Sequence, residues 1–123
     1  GGDGNDTLTG GMAVDQIITG TGKDRIVFNS AREAPDVISD FTADDLFVFK
    51  GSAFGGLAAG RLSTSRFESN TTGFAASTAD RFIFRTGDDT LWFDIDGSGS
   101  RQAVLIADLG TNFNLTAGDI LIV

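Results

Sequence analysis

The sequence predicts an all-β fold, a short parallel β-roll of nine-residue repeats continuing into a β-rich C-terminal cap. Three observations predict it. Aspartate recurs every nine residues at Asp6, Asp15 and Asp24, and a large aliphatic keeps the same step at Leu8, Ile17 and Ile26. Past the repeats, short apolar runs alternate with Gly/Asp/Ser/Thr clusters, the pattern of short strands joined by turns. Between residues 51 and 79 the hydrophobics Leu57, Leu62, Phe67 and Phe74 are spaced too irregularly for a helix.

Each repeat gives six residues to a turn and three to a very short strand, so two repeats complete one coil. Glycines permit positive φ and close backbone approach, which lets carbonyl oxygens point inward at the turn. The aliphatic faces the interior and forms a narrow core. Turns on one side of the roll lie two repeats apart, which places Asp6 beside Asp24. Stacked turns of this kind supply carboxylates and carbonyls, the oxygen ligands that the hard cation Ca2+ prefers. The units resemble the known calcium-binding nonapeptide of RTX proteins, G-G-x-G-x-D-x-U-x. On that reading Asp6 and Asp24 share an ion, and Gly1, Asp3, Gly20 and Gly22 contribute mainly backbone carbonyls. Ala13 stands where the second repeat expects its fourth-position glycine and Thr19 where the third expects its first, so both repeats depart from the pattern, and alanine in the second turn tolerates the required backbone less well.

After the third repeat, Arg25-Ile26-Val27-Phe28 extends a strand that Asn29 to Pro35 breaks. Asp36-Val37-Ile38-Ser39-Asp40-Phe41 reads as an alternating strand, and Asp44-Asp45-Leu46-Phe47-Val48-Phe49 as a strand buried on both faces. Arg81 to Phe84 and Thr90 to Phe93 flank a turn and read as a hairpin. Ala103 to Ala107 is a buried strand, and Ile120 to Val123 a final core strand. In Asp94-Ile95-Asp96-Gly97-Ser98, oxygen side chains alternate before and after a bend glycine, as in the first half of an EF-hand loop. Leu105 stands where that loop would need its bidentate glutamate, with Asp108 the next acid along. A metal site at Asp94, Asp96 and Ser98 and a plain turn both remain open.

Residues 1–28 are thus expected to form the roll and 29–123 the cap of one domain. The glycine-aspartate repeats followed by D-R-I-V-F, D-V-I-S-D-F and D-D-L-F-V-F resemble the C-terminal RTX module of serralysin-type metalloproteases. The calcium-binding R modules of bacterial alginate epimerases are similar. The resemblance covers residues 1–54 well and the rest loosely. It implies a second calcium site from Asp15, Asp36 and Asp40 with carbonyls of Gly11 and its neighbours. Read from the residues alone, Asp36 and Asp40 could equally be turn formers or strand-edge charges. Asp119 followed by four aliphatics resembles the uncleaved C-terminal signal of type I secretion substrates.

Composition narrows the function. A net charge of −8 disfavours nucleic acid and anionic membrane as partners. No apolar run is long enough to insert in a membrane. Without histidine there is no His-based triad, zinc-protease helix or imidazole acid–base catalyst. Without cysteine there are no disulfides, and calcium can take their place as a staple. Opening on Gly1 within the array, the chain reads as the C-terminal part of a longer secreted bacterial protein. The expected function is a non-catalytic, calcium-induced folding and secretion module, with the type I machinery and an upstream domain as partners. The alternative is a glycan- or surface-binding module, which requires a groove formed by some of Arg61, Arg66, Arg81, Arg85 and Arg101.

Overall fold

A computed structural model of the chain describes residues 1–33, 35–110 and 113–123. Ala34, inside the break before Pro35, lies outside them. Among the described residues there are eleven strands and no α-helix. The strands are β1 (Thr7–Leu8), β2 (Gln16–Ile17), β3 (Arg25–Phe28), β4 (Asp36–Ile38), β5 (Leu46–Phe49) and β6 (Gly60–Arg61). They continue with β7 (Phe67–Asn70), β8 (Phe82–Arg85), β9 (Thr90–Phe93), β10 (Val104–Asp108) and β11 (Ile120–Ile122). No helix among these residues is long and apolar enough to cross a membrane.

The strands form two mixed sheets, one in the order β1-β3-β5-β11-β6 and the other β2-β4-β10-β9-β8-β7. The strands of the first and third repeats lie in one sheet and that of the second in the other. In the first sheet Leu8 pairs with Ile26 and Ile26 with Phe47, all parallel. In the second, Ile17 pairs in parallel with Ile38. Hydrogen bonds join aspartates 18 residues apart in the first stacked pair of turns and 21 residues apart in the next two. The hairpin of β8 and β9 and the β9–β10 pair are antiparallel, so the C-terminal part completes the second sheet by a different route. Asp36–Ile38 is a shorter strand than the sequence suggests. It stops at Ser39 because the Asp40 side chain turns back to hold the amides of Thr19 and Gly20.

The core between the sheets thickens along the chain. Leu8 is only partly buried, Ile17 is 7% exposed, and Ile26, Phe47 and Phe49 are closed off completely. Phenylalanine does most of the filling: Phe41 stacks on Phe47 at 4.6 Å, and Phe49 meets Phe82 of the opposite sheet at 4.5 Å. Phe54, Phe82 and Phe93 extend the cluster into the cap. The final strand is an interior one. β11 lies between β5 and β6 with Ile120 and Ile122 buried, and Asp119 accepts from the Thr116 amide at the turn before it.

Phe49 touches both sheets, so Phe49→Ala should cost about 3–5 kcal/mol in denaturant unfolding. Phe74, which is 73% exposed, is the control; Phe74→Ala should stay within about 0.5 kcal/mol of the parent.

Candidate metal centre

The turns stack with one recurring contact. The backbone N–H of an aspartate in one turn donates to Oδ1 of the aspartate in the next turn. Asp6 N donates to Asp24 Oδ1 at 2.7 Å, and Asp24 N to Asp45 Oδ1 at 3.0 Å. On the other side of the molecule Asp15 N donates to Asp36 Oδ1 at 2.9 Å. Two columns result, Asp6–Asp24–Asp45 and Asp15–Asp36.

This contact occupies one carboxylate oxygen and leaves the other. Oδ2 of Asp6, Asp15, Asp24 and Asp36 are all buried and have no hydrogen-bond partner. Asp24 is 1% exposed and Asp36 not at all. Among the described residues the one ion pair is Arg85 with Asp88, remote in sequence from both columns, so no cationic side chain neutralises them. A buried acceptor left unpaired costs about 1–3 kcal/mol, and more when it is charged. Asp36 responds: burial, then the charges of Asp15 and Glu33, push its carboxyl above the usual range against the pull of the Asp15 N–H.

The turn glycines hold the space in front of these oxygens open. A Cβ on Gly10 would lie 2.4 Å from Asp36 Oδ2 and 3.0 Å from Asp15 Oδ2, so both oxygens converge on that point. A Cβ on Gly1 would lie 2.2 Å from Asp6 Oδ2. The carbonyls that join the first and third turns belong to Gly2 and Thr21, while those of Gly1, Asp3, Gly20 and Gly22 take none of these bonds. Among the described residues no three acidic, histidine or cysteine side chains gather to hold a metal ion. The chemistry on offer is buried carboxylate oxygens facing turn glycines, donors of the kind that suit a hard cation completing its shell from backbone and water.

The remaining expected residues fall in different places. Asp40 is not brought to Asp15 and Asp36. Its Oδ1 accepts from Thr19 N at 2.8 Å and its Oδ2 from Gly20 N at 2.9 Å. Burial works to raise its carboxyl, but these donors outweigh it and the net shift is downward. Asp3 is exposed and accepts from the Thr21 hydroxyl at 2.9 Å. Gly11, at φ +88°, has open space around its α-carbon. Asp94 and Asp96 form a second kind of pair. Burial and then the adjoining Asp96 carboxyl raise Asp94, the Arg101 N–H lowers Asp96, and Asp96 Oδ1 is buried without a partner. Ser98 is exposed beside them, with its N–H donating to Ser77 O. Asp108 pairs with Thr90, at the opposite end of β9 from Asp94.

Two acids escaped the sequence reading. Asp45 ends the first column, its Oδ2 accepting from Thr42 N at 2.9 Å. Glu33 is 7% exposed, with Oε1 accepting from Asn29 N and Oε2 buried without a partner. Asp36, Asp40 and Asp45 lie 21 residues after Asp15, Thr19 and Asp24, and that spacing was the available signal for Asp45. The five arginines of the groove hypothesis separate into two clefts. Arg85 and Arg101 border a cleft of about 520 Å³ with Trp92, while Arg61, Arg66 and Arg81 border another of about 360 Å³. No protein-family model and no curated protein matches the chain.

A carboxyl raised on folding stabilises the fold below its unfolded value, about 3.9, and loses that contribution as pH rises through the raised value. Asp36→Asn keeps the acceptor for Asp15 N and removes the charge. In chelator it should therefore lower the concentration of a stabilising osmolyte needed to fold the chain at neutral pH, with the gain vanishing towards about pH 4. An unchanged or higher osmolyte requirement at neutral pH contradicts this. Comparison with the variant is needed because Asp40 and Asp88, both lowered, work in the opposite sense.

Proposed function

We propose that the chain is a calcium-binding module whose folding is driven by calcium, a short parallel β-roll of RTX-type repeats closed by a β-rich cap. The observation that carries this reading is the burial of unpartnered carboxylate oxygens on Asp6, Asp24, Asp15 and Asp36 in turns stacked by parallel strands, those of Asp15 and Asp36 converging before Gly10. Asp6 and Asp24 would hold one ion and Asp15 and Asp36 a second. Asp40 would serve the second by fixing the turn and not as a ligand.

The energetics suit a switch. The sites do not exist in the unfolded chain, so binding free energy becomes folding free energy. At calcium one hundred times its dissociation constant, each independent site adds about 2.7 kcal/mol. Two sites amount to a large share of the roughly 5–15 kcal/mol that holds a small domain together. In a calcium-poor cytosol the columns repel and the chain stays unfolded, fit for a type I export channel. Outside the cell calcium completes the turns. The C-terminal acid and aliphatics, Asp119 to Val123, would be readable as an export signal before folding and become an interior strand after it. The module would do no chemistry of its own and would serve an upstream domain of a secreted bacterial protein.

Far-UV circular dichroism during a calcium titration, with magnesium as control, should show a coil-to-β transition specific to calcium. A chain already folded in chelator and indifferent to calcium contradicts the proposal. Gly10 is not in the positive-φ region, so Gly10→Ala fills the space before Asp15 and Asp36 without backbone strain. It should bind one calcium ion fewer than the parent in equilibrium dialysis; an unchanged count would remove the second site.

A further inference from the structure

Arg66 and Arg81 occupy adjacent places on neighbouring strands. Each immediately precedes a strand, and the parallel register that pairs Phe67 with Phe82 sets the two arginines side by side, with Arg81 N donating to Arg66 O at 2.8 Å. Like charges directly opposite one another on paired strands are destabilising. Both side chains are nevertheless drawn to one short stretch. Arg66 Nη1 donates to Ala79 O, and Arg81 Nη1 to the carbonyls of Thr78 and Asp80. Neither forms an ion pair among the described residues: Glu68 two places on does not border their cleft, Asp80 turns its carboxylate to the amides of Ala76 and Ser77, and Asp94, which feels the Arg81 charge, lies outside the cleft wall.

This is unusual in a chain carrying 17 acids against nine basic residues. The cleft of about 360 Å³ that Arg66 and Arg81 border contains no acidic residue in its wall. Arg61 stands on its rim, tied by Nη1 to Gly118 O, and Leu62 and Ile122 give it an apolar side. A guanidinium carries five N–H donors in a planar fork that matches oxyanions. The carbonyl contacts use Nη1 alone, which fixes each head while the rest of its fork stays available.

The geometry points to an oxyanion-binding site in this cleft, with Arg66 and Arg81 as its paired donors and Arg61 as a third charge at the rim. Its ligand bears a carboxylate, sulfate or phosphate group on a small body that the apolar side can accept. The site is separate from the aspartate columns and does not rest on them.

The test is a titration of the folded chain, at constant ionic strength, with sodium sulfate, glycerol 2-phosphate and methyl glucuronoside in parallel. The arginine Nε–Hε resonances are followed by NMR, and Trp92 emission reports the fold in calcium and in chelator, so loss of folding reads separately from loss of binding. Saturable shifts of the Arg66 and Arg81 resonances at millimolar ligand are expected, and the anion that saturates first names the chemistry. Arg66→Gln and Arg81→Gln should each weaken binding about tenfold, the scale of one charge-assisted hydrogen bond. Arg66→Lys should fall between, and Arg101→Gln in the other cleft should change nothing. Absence of saturable shifts with all three anions in the folded chain overturns the proposal, as does binding that survives both glutamine substitutions.

Discussion

The interaction on which the structure depends is the hydrogen bond from an aspartate N–H to Oδ1 of the aspartate in the next turn. It sets the register of every parallel strand pair in the N-terminal half, because the residues that follow each aspartate are those that pair: Thr7 with Arg25, Arg25 with Leu46, Gln16 with Val37. It also has a consequence it cannot remove. A carboxylate fixed by one oxygen presents the other to the interior, and stacking two such residues concentrates charge where burial penalises it. The strand register and the burial of paired charge come from one contact.

That concentration is tolerable only if something else holds the coil together, and the coil's own apolar content is small. Leu8, Ile17 and Ile26 supply one side chain each, and Leu8 is only partly covered. The phenylalanines of β3, β5, β8 and β9 add the largest buried side chains, with Phe41, Phe54 and the aliphatics of β9, β10 and β11 packed around them. β11 inserts beside β5 and β4 beside β10, so the C-terminal half is built into both sheets. Stability in the metal-free chain therefore rests on the phenylalanine cluster, and the aspartate columns subtract from it.

The first two members of the first column were legible because they stand two nine-residue periods apart, and Asp45 was not because its step is 21 residues. Asp6 and Asp24 follow from counting. The second column was legible only by resemblance, since Asp15 and Asp36 are 21 residues apart and three residues in the loop after β3 break the count. The role of Asp40 could not be read from the sequence, because ligand and turn former are the same residue type and only the direction of the carboxylate separates them. Thr19, a departure from the glycine pattern, is wholly buried, and its hydroxyl donates to Asp40 at 2.9 Å, so the substitution is matched by its partner. At Ala13 the backbone avoids the positive φ that Gly4 and Gly22 adopt at the equivalent places, and the second turn differs from the others accordingly. The Arg66–Arg81 pairing was hidden because parallel pairing of β7 with β8 has no signature in spacing.

The most direct test of the account is an anomalous difference map from crystals of the chain grown in calcium. One calcium peak is expected between Oδ2 of Asp6 and Asp24 and another between Oδ2 of Asp15 and Asp36. A map in which both pairs hold only water, with the turns otherwise unchanged, would contradict it.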